Sequence, residues 1–434
     1  MSVSWMDYYR THLMSAEEAI SRVKSGDHLI YAHAAAQPAH LHDALMARAE
    51  ELEDVEISYG FALGKQEFCE PKYEGHFRLN SVFVGGPTRQ GVWEGKADFT
   101  AMHMSQLDRY YEAHGVDVLL TQVTPPDENG NVSMGVSVDY CRNIVDHATL
   151  VVAQVNRNMP WTGGDAVIPV EKIHCFVEHD EPIGEIPEAT KVTEIDTSIA
   201  NYIATLIHDG DTIQTGVGAV PDTVLSLLGN HKDIGIHTEL ASTGVMRMIE
   251  KGVITNAKKT LDQGKVVATL MGGTREFYDY VDHNPLFVMR KVSYVNNPLI
   301  IAQQKNICAM NSALQVDLFG QVCADMMGPK QFSGVGGQLD FLRGAAMAEG
   351  GRSIICLPST AAKGTVSRIV PHLTPGACVT DTRYDVMYVV TEYGIAELWG
   401  KTNKERAKAL IEIAHPKFQE ELDKAYFETI HKIV

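Results

Sequence analysis

The fold is indicated most directly by Asp211-Thr-Ile-Gln-Thr-Gly-Val-Gly-Ala-Val-Pro221 and the segment that follows it. The first five residues predict a strand, and the two glycines predict a turn too tight for most side chains. A helix is expected to follow, because proline is tolerated in the first helical turn. Ile234–Thr238 predicts the next strand, with Glu239 at its carboxyl end. Strand, turn, helix and strand in this order are typical of an α/β protein.

This segment also predicts a ligand site. In open α/β sheets, ligands bind at the carboxyl ends of strands and at the helix N-termini beside them. The Gly216–Val220 turn would supply backbone N–H donors, and Glu239 would supply a carboxylate. A solvated surface charge is the alternative reading of Glu239. The dinucleotide fingerprint is not met, because Pro221 stands where its third glycine would be.

Composition narrows the class of protein. At 434 residues, the chain is expected to form two or more domains. Its net charge of −18 disfavours binding to nucleic acid or to an anionic membrane surface. The first residues do not have the pattern of a signal peptide, and no apolar run approaches the length of a membrane span. A cytoplasmic location is therefore expected.

Neither the cysteines nor the histidines show a metal-binding pattern. The seven cysteines are scattered and include no Cys-x-x-Cys pair. None of the 18 histidines belongs to a His-x-x-x-His pair. These spacings predict neither a disulfide framework nor a metal site.

An internal repeat predicts two related α/β domains. Ala16–Leu29 aligns without gaps on Ala200–Ile213, and both copies continue through a small-residue turn into a proline and a helix. The predicted domains are residues 1–190 and residues 195–434, joined near a Pro- and Glu-containing stretch. The first copy has Ala32–Gln37 in place of the glycine turn and Tyr59-Gly60 in place of Glu239. The second domain is therefore predicted to hold the catalytic residues.

Two further loops are candidate ligand contacts. The cluster Ser333-Gly-Val-Gly-Gly-Gln338 predicts either a flexible loop or a close approach of the backbone to a ligand. Lys363 lies in a loop after a strand and could bind phosphate, whereas Arg343 and Arg368 are interpreted as surface charges.

Longer motifs resemble a known family. They are Gly216–Asp222, Gly235–Glu239, Leu314–Gln321, Gln331–Phe341 and Val390–Glu397. Because of these motifs, the chain resembles the acetyl-CoA hydrolase/transferase family of CoA-transferases. The resemblance extends over nearly the whole chain and is closest to the 4-hydroxybutyrate CoA-transferase branch.

The resemblance implies a role for each candidate residue. Glu239 would form the covalent intermediate, without a metal. The residues implied to bind CoA are Gly216, Val217, Gly218, Ala219, Val220, Gly334, Gly336, Gly337 and Lys363. CoA would be a co-substrate and not a permanently bound cofactor. A homodimer or higher homo-oligomer is also implied.

The expected reaction moves CoA between a short-chain acyl-CoA, 4-hydroxybutyryl- or butyryl-CoA, and acetate through a glutamyl-CoA thioester. An acyl-CoA hydrolase that uses the same glutamate and a non-catalytic CoA-binding module are the alternatives. The candidate acyl pocket has small walls, Ala34–Ala36 and Ala241. Its candidate hydrogen-bonding side chains are His33, Gln37, Ser242 and Thr243.

Overall fold

The computed structural model describes residues 4–61, 63–188, 191–216 and 218–430. By their internal contacts these residues form two compact units. The first contains the chain up to Ile186, together with Leu240–Thr243 and Val267–Val295. The second contains Pro187–Glu239, Gly244–Val266 and the chain from Asn296 onward. These units differ from the predicted domains in that two later segments belong to the first unit.

The first part of the chain alternates strands and helices. Its strands are β1 (His28–Tyr31), β2 (Val55–Tyr59), β3 (Phe77–Ser81), β4 (Ala97–Phe99), β5 (Val118–Val123), β6 (Asn131–Ser133), β7 (Leu150–Val155), β8 (Gly163–Gly164), β9 (Val167–Pro169) and β10 (Cys175–Glu178). Its helices are α1 (Trp5–Thr11), α2 (Ala16–Ile20), α3 (Ala39–Ala47), α4 (Gly86–Trp93), α5 (Leu107–His114) and α6 (Cys141–Ile144).

Seven of these strands form one parallel sheet in the first unit, in the order β10-β7-β5-β1-β2-β3-β4. Its central strands are apolar and buried along most of their length, as expected for a parallel sheet covered on both faces. The helices supply that cover; Leu41 and Leu45, four residues apart on one face of α3, are fully buried.

The later part of the chain repeats the alternation. Its strands are β11 (Thr212–Gln214), β12 (Gly235–Ala241), β13 (Val266–Met271), β14 (Phe287–Met289), β15 (Ile307–Ser312), β16 (Gln315–Asp317), β17 (Val322–Cys323), β18 (Met326–Met327), β19 (Lys330–Gln331), β20 (Arg352–Cys356), β21 (Thr360–Ala361), β22 (Val366–Ser367), β23 (Ile369–Val370), β24 (Tyr388–Thr391) and β25 (Gly394–Glu397). Its helices are α7 (Glu194–Ala204), α8 (Ala219–Leu227), α9 (Thr243–Glu250), α10 (Arg275–Val281), α11 (Val292–Val295), α12 (Pro298–Ile301), α13 (Gln338–Met347), α14 (Asn403–Glu412) and α15 (Pro416–Ala425), and a π-helical turn spans Tyr426–Ile430.

The second unit has the same strand order as the first. Its sheet runs β24-β20-β15-β11-β12, which matches β10-β7-β5-β1-β2 strand for strand, and all of these neighbours are parallel. One antiparallel strand, β25, extends the sheet beyond β24. The predicted fold class, two related α/β domains, is confirmed.

The repeat extends to individual hydrogen bonds. Before β1, the Asp27 carboxylate accepts from the Lys24 N–H at 2.8 Å, and Gly26 has φ +81°. Before β11, the Asp211 carboxylate accepts from the His208 N–H at 2.6 Å, and Gly210 has φ +83°. Both turns use glycine in the left-handed region, which side chains disfavour.

Several boundaries differ from the sequence-based expectation. The capping box Ser15-Ala-Glu-Glu18 predicts a helix that runs to about Lys24, but α2 ends at Ile20. Helix α8 begins at Ala219, so Pro221 is its third residue and not its first. Thr402-Asn-Lys-Glu405 also predicts a capping box, and it is present, with Thr402 and Glu405 bonded reciprocally before α14. Within the described ranges, none of the helices combines the length and apolar character that crossing a bilayer requires.

Candidate active site

Glu239 lies inside a strand of the second unit. Strand β12 extends two residues beyond it, to Ala241, so the prediction that Glu239 ends the strand is wrong. The Glu239 side chain is half-buried, whereas the residues before it in the strand are buried. His237, on the same face of the strand, is fully buried with its ring 6.1 Å from that of Phe341. This packing indicates a structural role for His237.

The Glu239 carboxylate is held by an amide. The Nδ2 of Asn296 donates to the Oε2 of Glu239 at 2.5 Å. Asn296 is fully buried, so packing restricts its rotation. Asn297, the next residue, caps the short helix α12 by accepting from the Leu299 N–H. A donor fixed in this way is preorganised for negative charge on the carboxylate oxygen.

Gly337 lies directly against this pair. A Cβ atom at this position would be 2.0 Å from the Oε2 of Glu239 and 2.1 Å from the Nδ2 of Asn296. No side chain fits without displacing the carboxylate, so glycine is required for the close approach and not for its own conformation, since its φ is −90°. Gly337 is also the N-cap of α13. The carboxylate therefore lies near the positive end of a helix dipole, which favours the anion.

The loop that contains Gly337 is anchored at both ends. At its start, the Gln331 side-chain amide donates to the Asp325 carboxylate at 3.1 Å and to the Ser333 carbonyl at 2.8 Å. At its end, the Gln338 amide donates to the Asp381 carboxylate at 2.5 Å. Burial, which outweighs this hydrogen bond, raises the pKa of Asp381 to about 7. These bonds fix the position of the backbone beside Glu239.

The glycine turn follows β11 at the same sheet edge as Glu239. Thr238, the residue before Glu239, donates from its hydroxyl to the Thr215 carbonyl at 3.0 Å and accepts from the Thr215 N–H at 3.3 Å. These two bonds connect the start of the turn to the strand that carries Glu239. Gly218 then caps α8 with φ +131° and ψ −178°. This region is accessible essentially to glycine alone.

Four more of the predicted CoA contacts belong to this glycine turn. Gly216, Ala219 and Val220 are half-buried. Gly216 and Val220 line a small open cavity, and residues at the ends of β15 and β20 also contribute to its lining. Val217 lies outside the described residues.

Substitution of Gly218 separates backbone conformation from side-chain space. We expect Gly218→Ala to cost about 1–3 kcal/mol of local strain and to raise the KM for acyl-CoA several-fold, because the required φ disfavours any Cβ. The measurement is steady-state kinetics together with the melting temperature. Gly229→Ala is the matched control, because a Cβ at either glycine would have no neighbour within 4 Å and only Gly218 has a left-handed φ. Unchanged kinetics in Gly218→Ala would make this turn purely structural.

The remaining predicted CoA contacts lie in two other loops of the second unit. Gly334 is buried, and Gly336 has φ +52°. Lys363 is exposed and, like Ala362 before it, has a positive φ, +57°, which is uncommon for residues with a side chain. Their contact with CoA stays a prediction.

Arg343 and Arg368 both bond to other residues of the same chain. Arg343 forms an ion pair with Asp385 at 3.1 Å, and Arg368 donates to the Ala313 carbonyl at 3.2 Å. Neither observation requires a ligand.

The candidate acyl-pocket residues lie in the first unit, and most of their polar groups are already used. The His33 Nε2 accepts from the Phe61 N–H at 2.7 Å. The Gln37 amide donates to the Lys65 carbonyl and accepts from the Gly64 N–H. Thr243 accepts from the Thr274 N–H. Among the described residues, the buried hydroxyl of Ser242 has no hydrogen-bond partner.

Sequence reasoning missed Asn296 and Thr238. Asn296 is followed by Asn297 and Pro298, and Asn before proline is typical of a helix start. That local role belongs to Asn297, and only the fold reveals that its neighbour contacts Glu239. Thr238 looks like an ordinary β-branched strand residue.

Comparison with known proteins identifies the class to which this fold and site belong. The model for the acetyl-CoA hydrolase/transferase N-terminal domain matches residues 4–187, and that for the acetyl-CoA hydrolase/transferase C-terminal domain matches residues 273–426. The chain therefore belongs to the acetyl-CoA hydrolase/transferase family, as its sequence motifs predict.

Individual relatives narrow the comparison. The chain is 46% identical over 422 residues to the 4-hydroxybutyrate coenzyme A transferase of Clostridium kluyveri, covering 97% of this chain and 98% of the relative. It is 42% identical over 425 residues to the succinyl-CoA:acetate/propanoyl-CoA:succinate CoA transferase of Fasciola hepatica, covering 96% and 88%. The structure of RipA from Yersinia pestis superimposes with a TM-score of 0.92 at 38% identity, covering 98% of this chain and 99% of RipA. The predicted enzyme class, a CoA-transferase, is confirmed.

Proposed function

We propose that this chain moves CoA from a short-chain acyl-CoA, 4-hydroxybutyryl- or butyryl-CoA, to acetate, with Glu239 as the nucleophile. The observation that carries the proposal is the 2.5 Å hydrogen bond from a fully buried Asn296 to a carboxylate packed against Gly337. A surface glutamate has no need of a buried amide or of a glycine kept free of a side chain. This arrangement instead suits a carboxylate that must hold one position while an acyl group approaches.

The reaction would proceed through covalent intermediates of two kinds, an anhydride and a thioester, both formed on Glu239. The Glu239 oxygen attacks the thioester carbonyl, the C–S bond breaks, and the products are an acyl-glutamyl anhydride and CoA thiolate. The thiolate attacks the glutamyl carbonyl and releases the first carboxylic acid as its anion, leaving a glutamyl-CoA thioester. Acetate then attacks this thioester, and the same steps in reverse produce acetyl-CoA and regenerate the Glu239 carboxylate.

Each tetrahedral intermediate places negative charge on an oxygen. The Nδ2 of Asn296 donates to Glu239, and the N-terminus of α13, capped by Gly337, lies beside the same carboxylate. The N-terminus of α8, capped by Gly218, would supply donors from the glycine turn. Preorganised donors of this kind are worth several kcal/mol to a charged transition state. Binding of the distant parts of CoA would supply the rest.

Removal of the Asn296 amide tests this role. We expect Asn296→Ala to lower kcat/KM for transfer by ~10²-fold, because one preorganised donor is lost. The exposed Asn129→Ala is the control and should retain the native rate. Native kinetics in Asn296→Ala would remove this residue from the catalytic groups.

The acyl group can be tested separately, because the names of the relatives differ between 4-hydroxybutyrate, succinate and propanoate. The test is kcat/KM for acetyl-, propionyl-, butyryl-, 4-hydroxybutyryl-, succinyl- and octanoyl-CoA with one fixed acceptor. We expect the propionyl, butyryl and 4-hydroxybutyryl thioesters to react fastest and octanoyl-CoA to react poorly. A preference for succinyl- or octanoyl-CoA would contradict the proposed acyl group without affecting the role of Glu239.

The same assay distinguishes the alternatives. A hydrolase would release CoA at the same rate without an acceptor, because water would attack the Glu239 intermediate. A CoA-binding module would bind acyl-CoA without turnover. Release of CoA that depends on added carboxylate supports transfer.

We also propose that CoA is a co-substrate and not a resident cofactor, and that the enzyme is a cytoplasmic homo-oligomer, most simply a dimer. All seven cysteines are free, which fits a reducing compartment. Light scattering that gives the mass of a single chain, 47.7 kDa, would contradict the oligomer.

A further inference from the structure

Three potential metal ligands converge in the second unit, apart from Glu239. They are Cys323 at the end of β17, Asp325 two residues later, and Cys378 in the segment before β24. Their two Sγ atoms and one carboxylate oxygen all lie within 4.8 Å of one another. Cys323 and Asp325 are buried, and Cys378 is half-buried. The spacing of the cysteines in the sequence does not suggest a site, because the fold brings distant segments together.

Neighbouring groups fix the geometry of this cluster. The Cys378 thiol donates to the Asp325 Oδ1 at 3.0 Å, and the Thr380 hydroxyl donates to the same oxygen at 2.5 Å. The Cys323 thiol donates to the Met326 carbonyl at 3.2 Å. A hydroxyl that orients a ligating carboxylate is a common feature of metal sites.

We propose that Cys323, Asp325 and Cys378 bind a thiophilic divalent cation, for which Zn²⁺ is the best match. Two thiolates and one carboxylate suit Zn²⁺, whereas Mg²⁺ and Ca²⁺ require oxygen ligands. Three protein ligands leave the fourth tetrahedral position to water. On binding, the two thiols lose their protons to solvent, and the two Zn–S bonds replace the thiol hydrogen bonds.

The position of the cluster indicates what a bound ion would do. The Asp325 carbonyl accepts from the N–H groups of Phe332 and Ser333 at 2.8 and 3.0 Å, at the start of the Gly337 loop. Asp381 follows Cys378 in the same segment, and its carboxylate accepts a hydrogen bond from the Gln338 amide at the end of that loop. The ion would therefore join the two segments to which the loop is anchored. Its role is to stabilise this loop, not to take part in the chemistry at Glu239.

Oxidation to a disulfide is the competing reaction of the same two thiols. A disulfide between the two cysteines would need no carboxylate beside it. The Asp325 carboxylate nevertheless accepts a hydrogen bond from the Cys378 thiol and is oriented by the Thr380 hydroxyl. A carboxylate placed as a third ligand favours metal binding over disulfide formation.

The test is metal binding by the full-length protein, treated with a chelator and kept reduced and anaerobic. Zn²⁺ is titrated by calorimetry, and Co²⁺ is added separately because thiolate ligands give it a charge-transfer absorption. We expect one ion per chain, a thiolate–Co²⁺ band and a higher melting temperature with Zn²⁺. Cys323→Ser and Cys378→Ser should each lower the affinity at least ~10-fold and weaken the band. Cys69→Ser, which replaces another half-buried cysteine, is the control.

Absence of Zn²⁺ and Co²⁺ binding by the native protein would overturn the proposal, whether or not the Ser variants fold. Binding that both Ser variants retain would also overturn it. Because metal binding is measured directly, its outcome is independent of whether Glu239 is the nucleophile.

Discussion

Glu239→Gln is expected to lower the rate of CoA transfer by at least ~10³-fold while leaving CoA binding intact. Glutamine has nearly the same shape as glutamate, and its amide oxygen can still accept from Asn296. It is not a nucleophile, so neither the anhydride nor the glutamyl-CoA thioester can form. The measurements are kcat with saturating substrates and the Kd for CoA.

The matched control is Glu349→Gln, which replaces an exposed glutamate paired with Lys305 at 2.7 Å. Exposed ion pairs contribute little, so native kinetics are expected. A fully active Glu239→Gln would exclude Glu239 as the nucleophile. Loss of CoA binding together with turnover would instead mean that the substitution disturbs the site as a whole.

Gly337→Ala should have the second largest effect. The added Cβ would overlap both the Glu239 carboxylate and the Asn296 amide, at 2.0 and 2.1 Å, and Asn296 is fully buried. The carboxylate must shift by about an ångström, and a misplacement of this size costs ~10²-fold in rate. The backbone of Gly337 tolerates alanine, so the protein should still fold.

Gly229→Ala is the matched control, because Gly229 is exposed and a Cβ there would have no neighbour within 4 Å. We expect the control to keep its kinetics and Gly337→Ala to lose kcat with a smaller change in KM. Equal kinetics in the two variants would contradict the observed packing of Gly337 against the carboxylate.

The two related α/β domains could be predicted, and Glu239 could be chosen as the nucleophile candidate, because both inferences depend on local signals. The Gly-Asp turns, the small-residue turns and the apolar strands recur in both halves, and each specifies its own conformation. Glu239 was identified through the segment around Gly216, which repeats the turn of the first half with glycines in place of alanines. The end of β12 was less predictable, since Leu240 and Ala241 fit a strand or a loop equally well.

Contacts between distant segments could not be predicted in this way. Asn296 is 57 positions beyond Glu239, and nothing in its local sequence indicates that its amide reaches the carboxylate. The same applies to Cys323 and Cys378, whose spacing fits no metal motif although the fold brings them together. Local pattern specifies elements, whereas tertiary packing decides which side chains of separate elements meet.

The most direct test of the central claim is the intact mass of the protein after incubation with acyl-CoA in the absence of an acceptor. The proposed reaction predicts a mass increase of one CoA minus water, located on the peptide that contains Glu239 and removed by added acetate. Glu239→Gln should show no adduct under the same conditions. An adduct on another residue, or turnover with no covalent CoA at any time, would contradict the account.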